Sequence, residues 1–450
     1  MTVAVHVGQL LQPVPGGIGR YVRALLPCLP RAEVEPVAFA AGPRPAGLDG
    51  VRYVDLGWPR GPLRYEAWHR LGRPRLVVGG DVVHATSLAI PPPGDRPLVV
   101  TVHDLVPLRA PELLTRRGVA FHLAGLDRAR RLGATLVVPT GWGRDDLARE
   151  GVDPGRIHVA PHGVTVGPAP AADAVAAVLA RLGVRHPFVL FVGTLEPRKG
   201  VADLLAAHRR LRQGRPDLQL VLAGGRGWGE LPDVDGPGVM APGSLGDADL
   251  DALYRTAEVL ALPSRYEGFG LPVVEAMARG CPVVVSDAAC LPEVAGGAAE
   301  LVPVGDVDGL TDALAGVLDD GARRRDHHQQ HQRHVDPPAG SAGTTVHRVV
   351  LLLDRVGAVQ KEAIGRCRDD DEQHAGRADV GLTGHVQRDG AGGHRTAQHS
   401  AHGPDTVQRV DDGPAVGALH PKTLRVLRHV DNGVARAPDE QGDGDQQRSG

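Results

Sequence analysis

Glu267 and Glu275 bracket the run Gly268-Phe269-Gly270-Leu271-Pro272 with seven residues between them, a spacing suited to holding a ligand rich in hydroxyls and phosphate. The apolar residues 259–262 have strand character, Gly268 and Gly270 let backbone amides approach a ligand closely, and 271–279 has helical spacing. Phosphate oxygens suit the start of such a helix. Glu267 then lies on the loop before the helix and Glu275 about one turn inside it, so one carboxylate meets a sugar while the other accepts from ribose hydroxyls. The segment reads as a nucleotide-sugar site.

Three further segments carry matching chemistry. Thr194-Leu195-Glu196-Pro197-Arg198-Lys199-Gly200 follows an apolar run and opens a helix, which places two cations beside a helix start as a clamp for a diphosphate. Arginine forks across two phosphate oxygens and lysine supplies a mobile point charge, each charge-assisted bond contributing about 1.5 to 3 kcal/mol. Val14-Pro15-Gly16-Gly17-Ile18-Gly19-Arg20-Tyr21 is a glycine-rich turn leading into a helix expected to begin near Tyr21, whose amides would meet phosphate from the opposite side. It lacks the spacing of a dinucleotide fingerprint. Val100-Thr101-Val102-His103-Asp104 sets an imidazole at the end of an apolar strand, where open α/β sheets gather ligands; His84 ends another strand and is a weaker acceptor-side candidate.

The elements that must position these groups alternate in two series. Apolar runs at 3–7, 34–40, 81–85, 98–103, 135–139 and 157–161 read as buried strands separated by helical stretches, which predicts a doubly wound α/β domain over 1–165. A Pro/Ala-rich linker, 166–186, follows, with Asp173 as the expected cap of a short helix ending at Leu182. A second series over 187–322 has strands at 188–193, 218–224, 259–262, 282–286 and 300–304, and an amphipathic helix through Val201, Leu204, Leu205, His208 and Leu211.

The paired-glutamate segment closely resembles the signature of retaining glycosyltransferases with the GT-B fold, the family 4 (group 1) type that includes bacterial mannosyltransferases. The resemblance covers residues 1–320 and implies two Rossmann-like domains facing a central cleft, an acceptor-side domain at 1–165 and a donor domain at 187–322. It implies transfer of a hexose from a nucleoside diphosphate sugar, GDP-mannose being favoured, to a polysaccharide, lipid-linked or other hydroxyl acceptor. By resemblance His103 is the active-site histidine, which contacts the transferred sugar and extends to proton handling; Lys199 is the phosphate-binding lysine; and Gly17 is the residue whose backbone nears the phosphate. The family often has arginine at position 194, where this chain has Thr194, so Arg198 is expected to take that role. The catalytic set is thus His103, Glu267, Arg198 and Lys199, and the donor-binding set Gly17, Gly268, Phe269, Gly270, Leu271 and Glu275. No cofactor and no metal are expected: the Asp-x-Asp triplets at 233–235, 247–249 and 306–308 fall in polar turns or a helix cap, and the basic clamp already faces the diphosphate. The alternatives are a catalytically defective GT-B protein that only binds nucleotide sugar, a nucleotide-sugar 2-epimerase, and a glycogen or sucrose synthase-like enzyme.

Composition narrows the remaining choices. At 450 residues and 42% hydrophobic content there is room for two or three packed domains, and a net charge of −3 supplies no general basic field for nucleic acid. The four cysteines lack CxxC spacing, and no apolar run reaches membrane-spanning length, so a soluble cytoplasmic protein is expected, with peripheral contact at the inner membrane face through its acceptor. From 323 to 450 the character changes. No Phe, Tyr or Trp occurs beyond Phe269, and 12 of the 21 histidines lie in this low-complexity tail, which reads as disordered or as an out-of-frame translation of GC-rich coding DNA. The usual C-terminal helices in the same frame at the locus would refute the latter. His327, His328, His331 and His334 read as solvated rather than as a metal site.

Overall fold

The computed structural model describes residues 1–320 except 165, 228 and 230–232. The low-complexity tail, including its histidine cluster, lies outside the described residues.

The first sheet is built from β1 (Thr2–His6), β2 (Glu35–Ala40), β3 (Arg52–Asp55), β4 (Val82–Ala85), β5 (Leu98–Thr101), β6 (Thr135–Val138) and β7 (Ile157–Val159), in the spatial order β3-β2-β1-β4-β5-β6-β7. The second comprises β8 (Phe188–Val192), β9 (Gln219–Ala223), β10 (Val239–Gly243), β11 (Val259–Leu262), β12 (Val283–Ser286) and β13 (Glu300–Val302), in the order β10-β9-β8-β11-β12-β13. Every pairing in both is parallel. Parallel strands need crossovers, here mostly helical, that cover both faces, and this explains the unbroken apolar runs. In β1 the alternation of side chains sends Val3 and Val5 to one core cluster and Ala4 to the other, and Val82 and Val83 of β4 divide the same way. The second sheet has a core of its own running from Val184 to Val317.

Strand order reverses at β1/β4 in the first sheet and at β8/β11 in the second, and the crevice at such a switch point is where open α/β sheets bind ligands. The Glu196 to Lys199 segment leaves β8, and the Ser264 to Gly270 loop leaves β11. Both donor-side motifs therefore emerge from the two strands that flank one crevice.

Four local expectations are corrected. The helix expected near Tyr21 begins at Gly16 and runs Gly16–Leu25, so Gly17 stands in its first turn rather than in a preceding loop. The strand before His103 stops at Thr101, leaving the histidine on the turn beyond it. The helix Ala172–Leu182 starts after Ala171, and Asp173 accepts from Ala174 N at 2.9 Å inside the first turn instead of capping it. Two strands, β3 and β10, had no counterpart in the sequence reading because both are sheet edges whose residues are at best half-buried, which removes the apolar run that betrays a central strand.

Candidate active site

The β8 loop forms a 3-10 turn at Pro197–Lys199, and Gly200 (φ 65°) then opens the helix Val201–Gly214. Only glycine fits there, since a Cβ would lie 2.0 Å from the Pro263 carbonyl oxygen as well as meet left-handed strain. This close approach, with Arg265 N donating to Arg198 O at 2.8 Å, fixes the β8 and β11 loops against each other.

Four charged side chains, Glu196, Lys199 and Glu267 buried and Arg198 partly so, form a quartet between those loops. Lys199 Nζ donates to Glu267 Oε1 at 2.5 Å, and Ser264 Oγ donates to the same oxygen at 2.7 Å. Arg198 Nε donates to Glu196 Oε1 at 2.9 Å, while its Nη1 lies 3.6 Å from Glu267 Oε2 and donates to Tyr266 O at 3.2 Å. Burial alone would raise the Glu267 carboxyl, but Lys199 and Arg198 outweigh it and hold the group below the usual carboxylate range. The clamp expected to offer two cations to a diphosphate thus has each of them already matched by a carboxylate.

Glu275 sits on the short helix Leu271–Met277, four residues after its first. Tyr254 OH donates to Oε2 at 2.7 Å, and Arg20 of the Gly16–Leu25 helix reaches across from the first domain to pair with Oε1. A second nitrogen of Arg20 is 3.3 Å from Asp247 Oδ1. Close to this pair, a Cβ on Gly17 would come 3.4 Å from Leu271 Cδ1, so the two helix starts face each other.

His103 joins the two halves. Its Nε2 lies 2.8 Å from the Thr86 carbonyl oxygen, which can only accept, so Nε2 carries the proton. Nδ1 is then the acceptor for His162 Nε2–H at 3.1 Å. Burial lowers the His103 pKa and holds His162 well below the ordinary value, which favours two neutral rings. The His162 ring packs edge-on to Phe269 at 4.9 Å, and a Cβ on Gly268 would lie 1.9 Å from the His103 carbonyl oxygen. Behind them His84, also buried, shares Thr101 Oγ1 with Tyr21 OH. Glu293 completes the interdomain contact by accepting from Gly141 N at 2.7 Å and Trp142 N at 2.8 Å at the start of the helix Gly141–Arg149.

Of the ten expected site residues, Gly17, His103, Gly268, Phe269, Leu271 and Glu275 make contacts across the seam between the sheets, Arg198, Lys199 and Glu267 cluster between the β8 and β11 loops, and Gly270 (φ 86°) precedes the helix Leu271–Met277. Arg20, His162 and Tyr254 were missed as partners. Arg20 and His162 carried a signal, a charged or imidazole side chain just past a glycine-rich turn or strand end; Tyr254, inside the ordinary-looking helix Asp247–Thr256, carried none. Among the described residues no group of three or more His, Cys, Asp or Glu could hold a metal ion. Of the Asp-x-Asp triplets, Asp249 pairs with Arg181, Asp308 with Arg210, Asp306 caps the helix Val307–Asp319 through Gly309 N, and Asp233 accepts from Asp235 N.

Comparison with known proteins agrees with this geometry. Residues 15–168 match the family described as Glycosyltransferase Family 4, and residues 186–320 match Glycosyl transferases group 1. The phosphatidyl-myo-inositol mannosyltransferase of Mycolicibacterium smegmatis is 30% identical over 344 residues, covering 69% of this chain and 83% of that protein. The chain belongs to the family 4, group 1 glycosyltransferases. The O-antigen chain mannosyltransferase B of Escherichia coli is 39% identical over 145 residues, 30% of this chain and 38% of that relative. The crystal structure of Anabaena Alr3699/HepE in complex with UDP-glucose superposes with a TM-score of 0.57 at 18% identity, covering 78% of this chain and 99% of that one, a likeness of fold. This family 4 chain thus has the GT-B architecture: two parallel sheets whose switch-point loops meet at a common seam.

Proposed function

We propose that this family 4 glycosyltransferase moves a hexose, mannose being favoured, from a nucleoside diphosphate sugar to a hydroxyl acceptor with retention of anomeric configuration. The observation that carries the reading is the convergence of Lys199, Arg198 and Glu267 at the switch-point crevice of the second sheet, against His103 of the first, with Glu275 one helical turn away. The preference for mannose is supported by the two mannosyltransferase relatives, and the fold neighbour holding UDP-glucose supports a nucleoside diphosphate donor.

In this reading sugar hydroxyls take Glu267 and ribose hydroxyls take Glu275. Lys199, released from Glu267, then turns to the diphosphate beside Arg198, which stays anchored on Glu196, together with the amides of Gly17 and of Gly268 to Leu271. Departure of the diphosphate concentrates negative charge at these donors, and stabilisation of that charge in a water-poor seam is the main lever on rate. The sugar becomes oxocarbenium-like, and the acceptor oxygen bonds to its anomeric carbon on the face the diphosphate leaves. The acceptor's proton passes to a departing phosphate oxygen, since both nitrogens of His103 are engaged and burial keeps its ring neutral. No metal is required in this scheme. His103 serves as a neutral wall of the sugar pocket.

Peripheral contact with the inner membrane face, in a cytoplasmic enzyme, is supported by the stretch 58–77, which exposes Trp58, Leu63, Leu71 and Val77 together with Arg73 and Arg75, and with Arg60 and Arg70, which pair with Asp55 and Glu66. Among the described residues no helix is long and apolar enough to cross a membrane. Co-sedimentation with phosphatidylglycerol vesicles, but not with phosphatidylcholine ones, is the expected outcome; equal recovery in both supernatants would count against it.

The test of function has two stages. GDP, UDP and ADP are screened for thermal stabilisation of the full-length chain, a ligand at a hundred times its Kd adding about 2.7 kcal/mol. Radiolabelled GDP-mannose is then offered with lipid-linked and free sugar acceptors. Stabilisation by none of the three nucleotides would overturn the reading, while stabilisation without transfer to any acceptor would favour the inert, nucleotide-binding alternative.

A further inference from the structure

Both oxygens of Glu275 are engaged by protein groups, and their two partners differ in kind. Tyr254 is buried in the body of its own domain, with Arg279 stacked 5.4 Å over its ring and anchored in turn on Asp251 at 2.6 Å. Arg20 comes from the other domain, and its side chain keeps 35% of its exposure. One partner is fixed, and the other can leave.

On the reading that Glu275 accepts from ribose, a donor nucleotide needs the oxygen that Arg20 occupies. The same donor brings a diphosphate into a seam whose other cations, Arg198 and Lys199, are held by Glu196 and Glu267. Arg20 stands three residues beyond Gly17 on one helix, so its side chain projects from nearly the same face one turn on. Gly17 in turn faces Leu271 across the seam. Displacing Arg20 from Glu275 therefore leaves its guanidinium beside the solvent-exposed Asp247, 3.3 Å away, with the rest of its forked donors next to where the phosphates would lie.

We propose that Arg20 is an exchangeable plug: it pairs with Glu275 and transfers to the donor's diphosphate when ribose takes its place. No covalent bond changes; one ion pair is traded for another. A nucleoside without phosphates must expel Arg20 and offers it no anion in return, whereas a nucleoside diphosphate supplies both exchanges. Arg20 thus makes the site discriminate for phosphorylated ligands beyond what Lys199 and Arg198 contribute.

The experiment compares wild type and Arg20→Met by calorimetric titration with guanosine and GDP, uridine and UDP, and adenosine and ADP. For the base that binds, the ratio of nucleoside Kd to diphosphate Kd should fall about tenfold or more in Arg20→Met, since a charge-assisted contact is lost on one side and a competitor on the other. Arg20→Lys, which keeps the charge, should retain most of the ratio and stands in should the methionine variant fail to fold; its ratio must then still exceed that of Arg20→Gln. A fall of less than about threefold, in a variant that melts cooperatively, overturns the plug while leaving the proposed function standing. Absence of diphosphate binding by the wild type overturns both.

Discussion

Replacing Glu267 by glutamine keeps the shape of the side chain and removes one charge from the quartet. The amide oxygen can still accept from Ser264, 2.7 Å away in the native site, but it no longer neutralises Lys199, which is 9% exposed and 2.5 Å from the carboxylate. Stripping one member from a buried ion pair typically costs about 3 to 5 kcal/mol, because the partner's charge stays buried and unpaired. At an unfolding entropy of about 2.1 cal/mol/K per residue, that is a fall in Tm of about 4 to 8 °C for a body of this size. The uncompensated ammonium is also an anion site, so GDP should restore much of the loss and bind on the order of tenfold tighter than to wild type, one charge-assisted bond being gained without a competitor. Transfer should fall by about a hundredfold or more, because a neutral amide in place of the carboxylate holds the sugar hydroxyls more weakly and leaves the developing positive charge on the sugar unopposed. Scanning fluorimetry with and without GDP, titration calorimetry and a radiolabelled transfer assay read the three quantities on one preparation. A Glu267→Gln protein with wild-type Tm and weakened GDP binding would refute the reasoning, since it would mean that the carboxylate contacts the nucleotide rather than restraining the cations.

Two further outcomes follow from buried imidazoles of the first domain and from the glycines of the seam. Burial lowers His6 and His84 to about 3 and lowers His103 and His162 as well, so these imidazoles are neutral when folded, while an unfolded histidine takes a proton below about 6.5. Their contribution is complete above that value and lost as pH falls through it, and His6 and His84 alone should remove about 1.2 kcal/mol each between pH 7 and 5.5. A Tm unchanged across that interval would contradict it. Gly268→Ala and Gly17→Ala should behave differently: the first drives a methyl to 1.9 Å from the His103 carbonyl oxygen and should cost about 1 to 3 kcal/mol by overpacking, whereas the second meets only Leu271 at 3.4 Å and should leave Tm unchanged while weakening GDP. Equal Tm values for the two variants would show that the interdomain contact at Gly268 is not tight in solution.

Much of the architecture was legible because buried parallel strands must be continuously apolar, and all eleven expected strand segments end within two residues of the observed ones at both ends. The edge strands β3 and β10 escaped, being covered on fewer sides. The acidic pair and the cationic loop were readable because each is a short run with its glycines in place. The sequence also showed the order of the motifs along the chain, hence that they leave strands of two separate sheets.

What local pattern could not supply was the partner of each charge. Lys199 and Glu267 are 68 residues apart, His103 and His162 are 59 apart, and Arg20 and Glu275 are 255 apart. Read alone, Arg198 and Lys199 are free cations and Glu275 a free acceptor; folded, each is matched. Chain composition and periodicity thus determined which strands and turns form, because those depend on neighbours a few residues away. Only the tertiary structure decided which charges cancel across the seam, because Coulomb interaction depends on distance through space and on burial, neither of which sequence separation encodes.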